Sequence, residues 1–468
     1  MKGRRTRSAL VIGVASVALS MPVRSQPSPS AVIAPIPFAE ARQIFQVLRE
    51  DLLPEALKAR TPPELETMWT RWVETRDAAI RQRVVQGDED SVINLLLFGT
   101  TFTKRLRPTD SDLEALVTRP AVGMAALRPR VDDFIAAVTS PGNDERLQFA
   151  RGVILRAGID PPTAAGTDQV RRYLEERIRA VAAGSTAASQ AAGAVAGSLA
   201  TSNAYRERGL SSDTSLLVDY GVDRALEAAA RSRPMAAAVR RVAIVGPGLD
   251  FTDKLAGYDF YPQQTIQPFA LIDSLIRHGL SDPSSLRVTA FDLSPRVIQH
   301  LETARTRAAA GTPYDLVLPR NLDRSWTPGL VAYWQRLGDR IGDEAPAVTP
   351  PATAGRVQVR GVRVRPSAVL ATATRDLNIV LQREERPASE KFDLLIATNI
   401  LVYYDTFEQS LALANIASML KPGGLFLTNT RVVLLPGSPI RSAGYTDSVY
   451  TTGPGGDETG DRVWWYER

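Results

Sequence analysis

The stretch of residues 241–292 places the tightest constraint on how this chain folds. An apolar run at 242–245 enters the turn Gly246-Pro247-Gly248, and a second apolar run ends on Asp292 in RVTAFDLSP. A strand that enters a glycine turn, followed by a strand that ends in an acid, is typical of nucleoside sites in α/β sheets. Glycines let a ligand approach the backbone, and a carboxylate accepts hydrogen bonds from ribose hydroxyls. Two simpler roles stay open: a plain strand-ending turn for the glycines, and a helix cap for Asp292.

The first residues of the chain have the composition of an export signal. Basic residues between Lys2 and Arg7 precede an apolar run at 9–21 that is short for a membrane span. We therefore expect residues 1–25 to be a signal peptide that sends the protein to a bacterial periplasm or cell envelope. The alternatives are a retained helical anchor and a start codon placed too early. If the signal is not used, the protein is cytoplasmic.

Composition excludes several classes of function. The formal net charge is +5. Residues 1–25 contain basic side chains and no acidic one, and they account for all of this excess. The remaining chain is neutral, so its charge gives no case for nucleic acid as a partner. The chain has no cysteine and two histidines, which removes disulfides, thiolate chemistry and a histidine-based metal site. We expect no metal.

Hydrophobic periodicity divides the rest of the chain. A Pro/Ser-rich linker at 26–37 precedes a region at 38–232 whose apolar residues recur at helical spacing. From 233 to 468 strands alternate with helices, which favours a mostly parallel sheet. Predicted strands are 242–245, 288–291, 357–364, 394–397 and 425–429. Runs at 448–452 and 462–466 flank the turn-rich GPGGDETGD, so they are expected to form a closing antiparallel hairpin.

Four stretches together resemble a known family: VAIVGPGLD, VTAFDLSPRVIQHL, FDLLIATNILVYYDTFEQSLALANIASMLKPGGLFLTNT and the closing hairpin. Their order is similar to that of class I S-adenosylmethionine-dependent methyltransferases, and the third stretch resembles the chemotaxis-receptor type. The match covers roughly residues 239–468. It implies a Rossmann-like, mostly parallel sheet with a C-terminal antiparallel hairpin. The helical spacing before it predicts an all-α N-terminal domain.

The resemblance also implies a cofactor, S-adenosyl-L-methionine, and a set of site residues. The implied cofactor-binding residues are Gly246, Pro247, Gly248, Asp250, Asp292, Leu293, Asp376, Leu377 and Asn399. Among them Asp376 is expected near the adenine amino group. Tyr403 and Tyr404 are the implied catalytic residues, one of them bordering the transferred methyl group and the other packing against the fold.

The chain departs from the family pattern around the glycine turn. The usual acid two residues before the first glycine is Ile244, so Asp250 or Asp253 is expected to meet the cofactor's ammonium group instead. An inserted segment, FTDKLAGYDFYPQQTIQP, then follows, with Tyr258 and Tyr261 among its residues. It is either a lid or substrate wall over the site, or a surface elaboration.

Methyl transfer from a sulfonium needs little acid–base chemistry when the acceptor is already a nucleophile. By resemblance, the first guess for the acceptor is a carboxylate oxygen of a protein or a small molecule. No membrane span is expected in the mature chain. Two alternatives stay open: an exported, non-catalytic module that binds a small molecule or protein, and an aminopropyl transferase on the same sheet.

The signal predicts where the protein is found. Cell fractionation followed by mass measurement of the intact chain should give a processed product in the envelope fraction, because the basic and apolar segment is removed on export. A cytoplasmic product that keeps residues 1–25 would contradict the export prediction.

Overall fold

A computed structural model of the chain describes residues 31–191, 209–214, 216–232, 239–252, 257–453 and 458–468. The predicted signal segment 1–25 and Asp253 lie outside these residues. The helices are α1 Phe38–Val47, α2 Pro62–Phe98, α3 Asp110–Thr118, α4 Pro120–Thr139, α5 Glu145–Arg156, α6 Ala164–Ala191, α7 Leu216–Ser232, α8 Gln267–Arg277, α9 Pro295–Ala309, α10 Pro328–Arg336, α11 Pro366–Leu370 and α12 Thr406–Met419. The strands are β1 Val32–Pro35, β2 Arg241–Val245, β3 Arg287–Asp292, β4 Tyr314–Asn321, β5 Gly342–Ala345, β6 Val357–Val364, β7 Thr372–Asp376, β8 Gln382–Glu385, β9 Phe392–Ile396, β10 Leu420–Thr428, β11 Arg441–Thr452 and β12 Glu458–Glu467.

A seven-stranded sheet in the order β7-β3-β2-β9-β10-β12-β11 forms the centre of the fold. Its first five strands pair in parallel, while β12 is antiparallel to both β10 and β11. This mostly parallel sheet with helices confirms the predicted α/β class. The carboxyl ends of β2, β3 and β9 consequently meet at one edge.

Strand β2 is central because both of its faces are buried. Val242 and Ile244 belong to the core formed with α7 and α8, whereas Ala243 and Val245 belong to the core formed with α1, α2 and α12. Successive side chains of a strand point to opposite faces, so an uninterrupted apolar run fits a sheet covered on both sides. This explains why the short sequence RVAIV specified its strand so clearly.

One strand assignment from the sequence needs correction, and one strand of the central sheet was missed. Val357–Val364 lies outside the central sheet and pairs antiparallel with β4 and β5 in a separate three-stranded sheet. Its sequence VQVRGVRV alternates apolar and polar residues, as a half-exposed antiparallel strand does. The edge position of the central sheet belongs instead to Thr372–Asp376, whose sequence TATRD carries no aliphatic run.

The prediction that residues 26–37 are a linker is wrong for the last part of that segment. Val32–Pro35 forms β1, which pairs antiparallel with β8. Immediately afterwards, the Ile36 carbonyl accepts a hydrogen bond from Trp69 Nε1 at 2.9 Å. The start of the helical region is thus fixed to the sheet domain. Among the described residues, no helix is both long and apolar enough to cross a bilayer.

The inserted segment joins the two halves of the molecule. Asp259 is buried and accepts hydrogen bonds from Thr100 N at 2.7 Å, from Thr100 Oγ1 at 2.5 Å and from Thr101 Oγ1 at 2.8 Å. Arg146 of α5 is also buried and donates to the carbonyls of Phe251 and Tyr261. Buried hydrogen bonds therefore connect the segment to the helical half, and the surface-elaboration alternative is wrong.

Removal of the Asp259 carboxylate should destabilise the protein. Asp259→Ala leaves the buried donors of Thr100, and those of the more exposed Thr101, without their acceptor. We expect a loss of about 3 kcal/mol in the free energy of unfolding. Urea denaturation measures this loss. Asp323→Ala is the control, because Asp323 is exposed and pairs with the exposed Arg356; its effect should stay within about 0.5 kcal/mol. Equal stability of the two variants would contradict this connection.

Candidate functional site

A cavity of about 410 Å³ lies at the edge where the carboxyl ends of β2, β3 and β9 meet. Open parallel sheets bind ligands in the crevice outside the carboxyl ends of their strands, and this volume lies within the usual range for small-molecule sites. Most of the predicted site residues line it: Gly246, Gly248, Asp292, Leu293, Leu377, Asn399, Tyr403 and Tyr404.

Gly246 and Gly248 have other parts of the protein packed against them, which leaves no room for a side chain. Gly246 and Gly248 adopt φ values of +68° and +66°. A Cβ atom on Gly246 would lie 2.2 Å from Ile400 Cδ1, and one on Gly248 would lie 2.6 Å from the Ser212 carbonyl oxygen. Ile400 and Ser212 both line the cavity. The glycines therefore let two other parts of the wall approach the turn.

Residues 211–214 form a part of the wall that the sequence did not reveal. Leu249 N donates to the Ser212 carbonyl at 2.7 Å, and Thr214 N donates to the Leu249 carbonyl at 3.0 Å. This pairing brings Asp213 into the cavity lining beside Gly248. Its Oδ1 accepts from Ser91 Oγ at 3.0 Å, while its Oδ2 is buried without a hydrogen-bond partner among the described residues.

Asp292 ends β3 at the cavity wall, as predicted. Its Oδ1 accepts from Ser294 N at 2.7 Å, so it also caps the start of α9. Burial raises the pKa of Asp292 to about 6, although the backbone N–H groups of Ser294, Leu293 and Gly248 act in the opposite direction. The carboxylate is thus ionised at neutral pH at a cost in free energy.

On the other side of β2, three polar side chains form a continuous wall. Asn399, which adopts a left-handed φ of +58°, is joined to Asn429 by the bonds Asn399 N to Oδ1 at 2.8 Å and Asn429 Nδ2 to Asn399 Oδ1 at 2.6 Å. Asn429 Nδ2 also donates to Asp461 Oδ2 at 3.2 Å. We call Asn399, Asn429 and Asp461 the amide–carboxylate wall. The sequence did not mark either Asn429 or Asp461 as a site residue. Asn429 ends the predicted strand 425–429 and Asp461 ends the turn-rich GPGGDETGD, and neither position carries a signal of its own.

Tyr403 and Tyr404 both line the cavity and are both buried. Arg83 of α2 holds their backbone by donating to the Tyr403 carbonyl at 3.0 Å, and its guanidinium lies 5.7 Å from the centre of the Tyr404 ring. Burial raises the pKa of Tyr404 well above its usual value. Its phenol therefore stays protonated at neutral pH and does not act as a base.

Three predicted site residues do not line the cavity. Pro247 is buried within the turn. Asp250 points into the inserted segment, where it accepts from Tyr261 Oη at 2.8 Å and from Gln264 Nε2 at 2.9 Å. Asp376 faces solvent, with 55% of its side chain exposed, and pairs with Arg81 at 2.8 Å. On this geometry the roles expected for Asp250 and Asp376 have no support.

Among the described residues of the inserted segment, Gln267 lines the cavity and the others do not. Tyr258 and Tyr261 instead line a separate cavity of about 80 Å³, which Asp250 shares. The expectation of a lid or substrate wall over the main site is therefore wrong for these tyrosines, because contacts with the helical half hold them away from it.

Comparison with known proteins adds little to this geometry. No protein-family model matches the chain, and no curated protein matches it. Similar solved structures include the N-methyltransferase NodS from Bradyrhizobium japonicum WM9 with S-adenosyl-L-homocysteine, at 12% identity over 52% of this chain and 85% of that chain, with a TM-score of 0.23. The glycopeptide N-methyltransferase MtfA aligns at 12% identity over 53% of this chain and 95% of that chain, with a TM-score of 0.23. Human N-acetylserotonin methyltransferase with S-adenosylmethionine aligns at 11% identity over 88% of this chain and 99% of that chain, with a TM-score of 0.21.

The sheet and the cavity of the protein define its class. These define an α/β protein with a mostly parallel, doubly covered sheet, an antiparallel terminal hairpin and a small-molecule cavity at the carboxyl edge.

The raised pKa of Asp292 predicts that the substitution Asp292→Asn increases the stability of the protein in a pH-dependent way. Above pH 6 the buried carboxylate is ionised and costs stability, so Asp292→Asn should be more stable than the parent by up to about 3 kcal/mol, at about 1.4 kcal/mol for each pKa unit. As the pH falls from about 6 to 4 both side chains become neutral and the difference should vanish. Urea denaturation at pH 8 and pH 4 measures it, with exposed Asp323→Asn as the control. A difference that does not change with pH would contradict the assignment.

Proposed function

We propose that the protein binds S-adenosyl-L-methionine in the 410 Å³ cavity and transfers its methyl group to an acceptor. One observation carries the proposal: the glycine turn, the acid that ends β3 and a further acid beside the turn all converge on a single cavity at the carboxyl edge of the sheet. The sequence resemblance implies the same cofactor.

The residues present fit this cofactor. Asp292 is placed to accept hydrogen bonds from both ribose hydroxyls, as carboxylates do at nucleotide sites. The buried, unsatisfied Oδ2 of Asp213 is an acceptor for the ammonium group and takes the role that the sequence assigned to Asp250. Leu293, Leu377 and Ile379 supply an apolar surface for the adenine.

The cofactor, when bound, supplies a methyl group activated on a sulfonium. The chain contributes position and exclusion of water: α2 closes the cavity with Val84, and the loop after β9 closes it with Ile400 and Val402. Alignment of an acceptor in such a water-poor site supplies much of the acceleration. The protonated Tyr404 contributes a surface rather than a proton acceptor.

Ligand binding tests the proposal directly. Calorimetry of the purified protein should detect S-adenosylmethionine and S-adenosylhomocysteine, and Asp292→Ala should weaken both by at least about 100-fold because the ribose acceptor is lost. Asp376→Ala is the matched control: this acid also ends a strand of the sheet but faces solvent, so its affinity should stay within about threefold of the parent. Absence of binding at millimolar ligand would refute the proposal.

Turnover separates the enzyme from the non-catalytic alternative. If the purified protein binds the cofactor but forms no methylated product, and the protein isolated from cells is a processed envelope product with an empty cavity, the binding module is favoured. Product formation with the decarboxylated cofactor would favour aminopropyl transfer.

A further inference from the structure

The charges that line the cavity have one sign. Asp213, Asp292 and Asp461 contribute carboxyl groups, and the described residues that line the cavity include no lysine, arginine or histidine. A carboxylate acceptor in this cavity would meet like charges and no positive partner, which costs free energy. The negative charge of the cavity lining therefore disfavours a carboxylate as the methyl acceptor, which the sequence resemblance had implied.

Arg296 does not line the cavity, but its positive charge partly balances two of these three acids. Its Nη2 donates to Ser212 Oγ at 2.8 Å, and its guanidinium lies 4.0 Å from the centre of the Phe149 ring. From this position its positive charge attracts Asp213 and Asp292 and acts to lower the pKa of Asp292. The negative charge in this half of the cavity is therefore partly balanced by the protein.

Asp461 has no such balance. Asn429 Nδ2 at 3.2 Å and Tyr450 Oη at 3.3 Å both donate to its Oδ2, and within the part of the chain that the structure describes it forms no ion pair. The neighbouring Arg462 points to the opposite face of β12 and pairs with Asp447 at 2.6 Å. Two neutral donors thus orient the carboxyl group of Asp461 while its charge stays available for a ligand.

The position of Asp461 assigns it to the acceptor rather than to the ribose. In the sheet, β3 with Asp292 lies on one side of β2, whereas β9, β10 and β12 lie on the other side. The amide–carboxylate wall is built from the ends of those strands, across the cavity from Asp292. Tyr403 and Tyr404 follow the same β9 loop, and aromatic faces stabilise cations.

We propose that the amide–carboxylate wall binds the amino group of an aliphatic amine, and that this amine is the methyl acceptor, with Asp461 as the residue that recognises its positive charge. The inference rests on the proposed function. In the reaction the ammonium gives one proton to Asp461 Oδ1. The freed nitrogen lone pair then forms the N–C bond to the methyl group while the C–S bond breaks, its electron pair going to sulfur. The burial that raises the pKa of Asp461 favours its acceptance of the proton.

An analogue of the cofactor tests this assignment by binding alone. The probe is the S-adenosylmethionine analogue in which a carbon bearing an ammonium group replaces the methylsulfonium, so that its positive charge faces the acceptor side. Calorimetry should show that the protein binds this analogue at least about tenfold more tightly than neutral S-adenosylhomocysteine. In Asp461→Asn the ratio of the two affinities should fall about tenfold, because the variant keeps the shape and hydrogen bonds of the side chain but loses its charge.

The control variant is Asp447→Asn, which removes an acid from the same hairpin on the face that pairs with Arg462; its affinity ratio should equal that of the parent. Failure of both ligands to bind would refute the proposed function. Binding of S-adenosylhomocysteine with no preference for the analogue in the parent protein would overturn the amine assignment alone, as would an unchanged ratio in Asp461→Asn. If Asp461→Asn does not fold, the ratio in the parent protein still decides the matter.

Discussion

The backbone pairing between residues 212–214 and Leu249 is the contact on which the site depends. It draws a segment from before α7 against the glycine turn so closely that the Ser212 carbonyl leaves no room for a Cβ on Gly248. The same contact sets Asp213 in the wall, and Ser91 of α2 fixes its carboxylate. The backbone contact and the Ser91 hydrogen bond together join three regions of the chain that are distant in sequence.

The sequence predicted those parts of the fold that carry a local signal. The bounds of β2 and β3 were predicted to within a residue, because their apolar runs are clear. Asp213 and Asp461 carry no local signal. The first lies in an ordinary polar loop, SSDT, and the second in a strand whose role depends on pairing with β10. Both become site residues only through long-range contacts that one sequence does not encode in its pattern.

Asp250 shows the opposite error. Its spacing from the glycine turn matched what a ligand-binding acid requires, but the inserted segment supplies Tyr261 and Gln264 as partners and turns its carboxylate away. Spacing fixes which residues are near a turn, whereas the side of the backbone on which each points depends on what packs next to it. Asp292 and Asp461 face the cavity at a cost in stability, as the raised pKa of each indicates. Such a cost is expected where charge is kept for a ligand.

Helix α2 has a further mechanical consequence. Its first turns pack in the sheet core through Trp69, its middle reaches the cavity through Val84, and its last turns pack in the helical core through Leu95. With 37 residues it forms one continuous rod of about 55 Å. A displacement of the helical half that leaves this rod intact would therefore move Val84, which lines the cavity, and Arg83, which donates to the Tyr403 carbonyl.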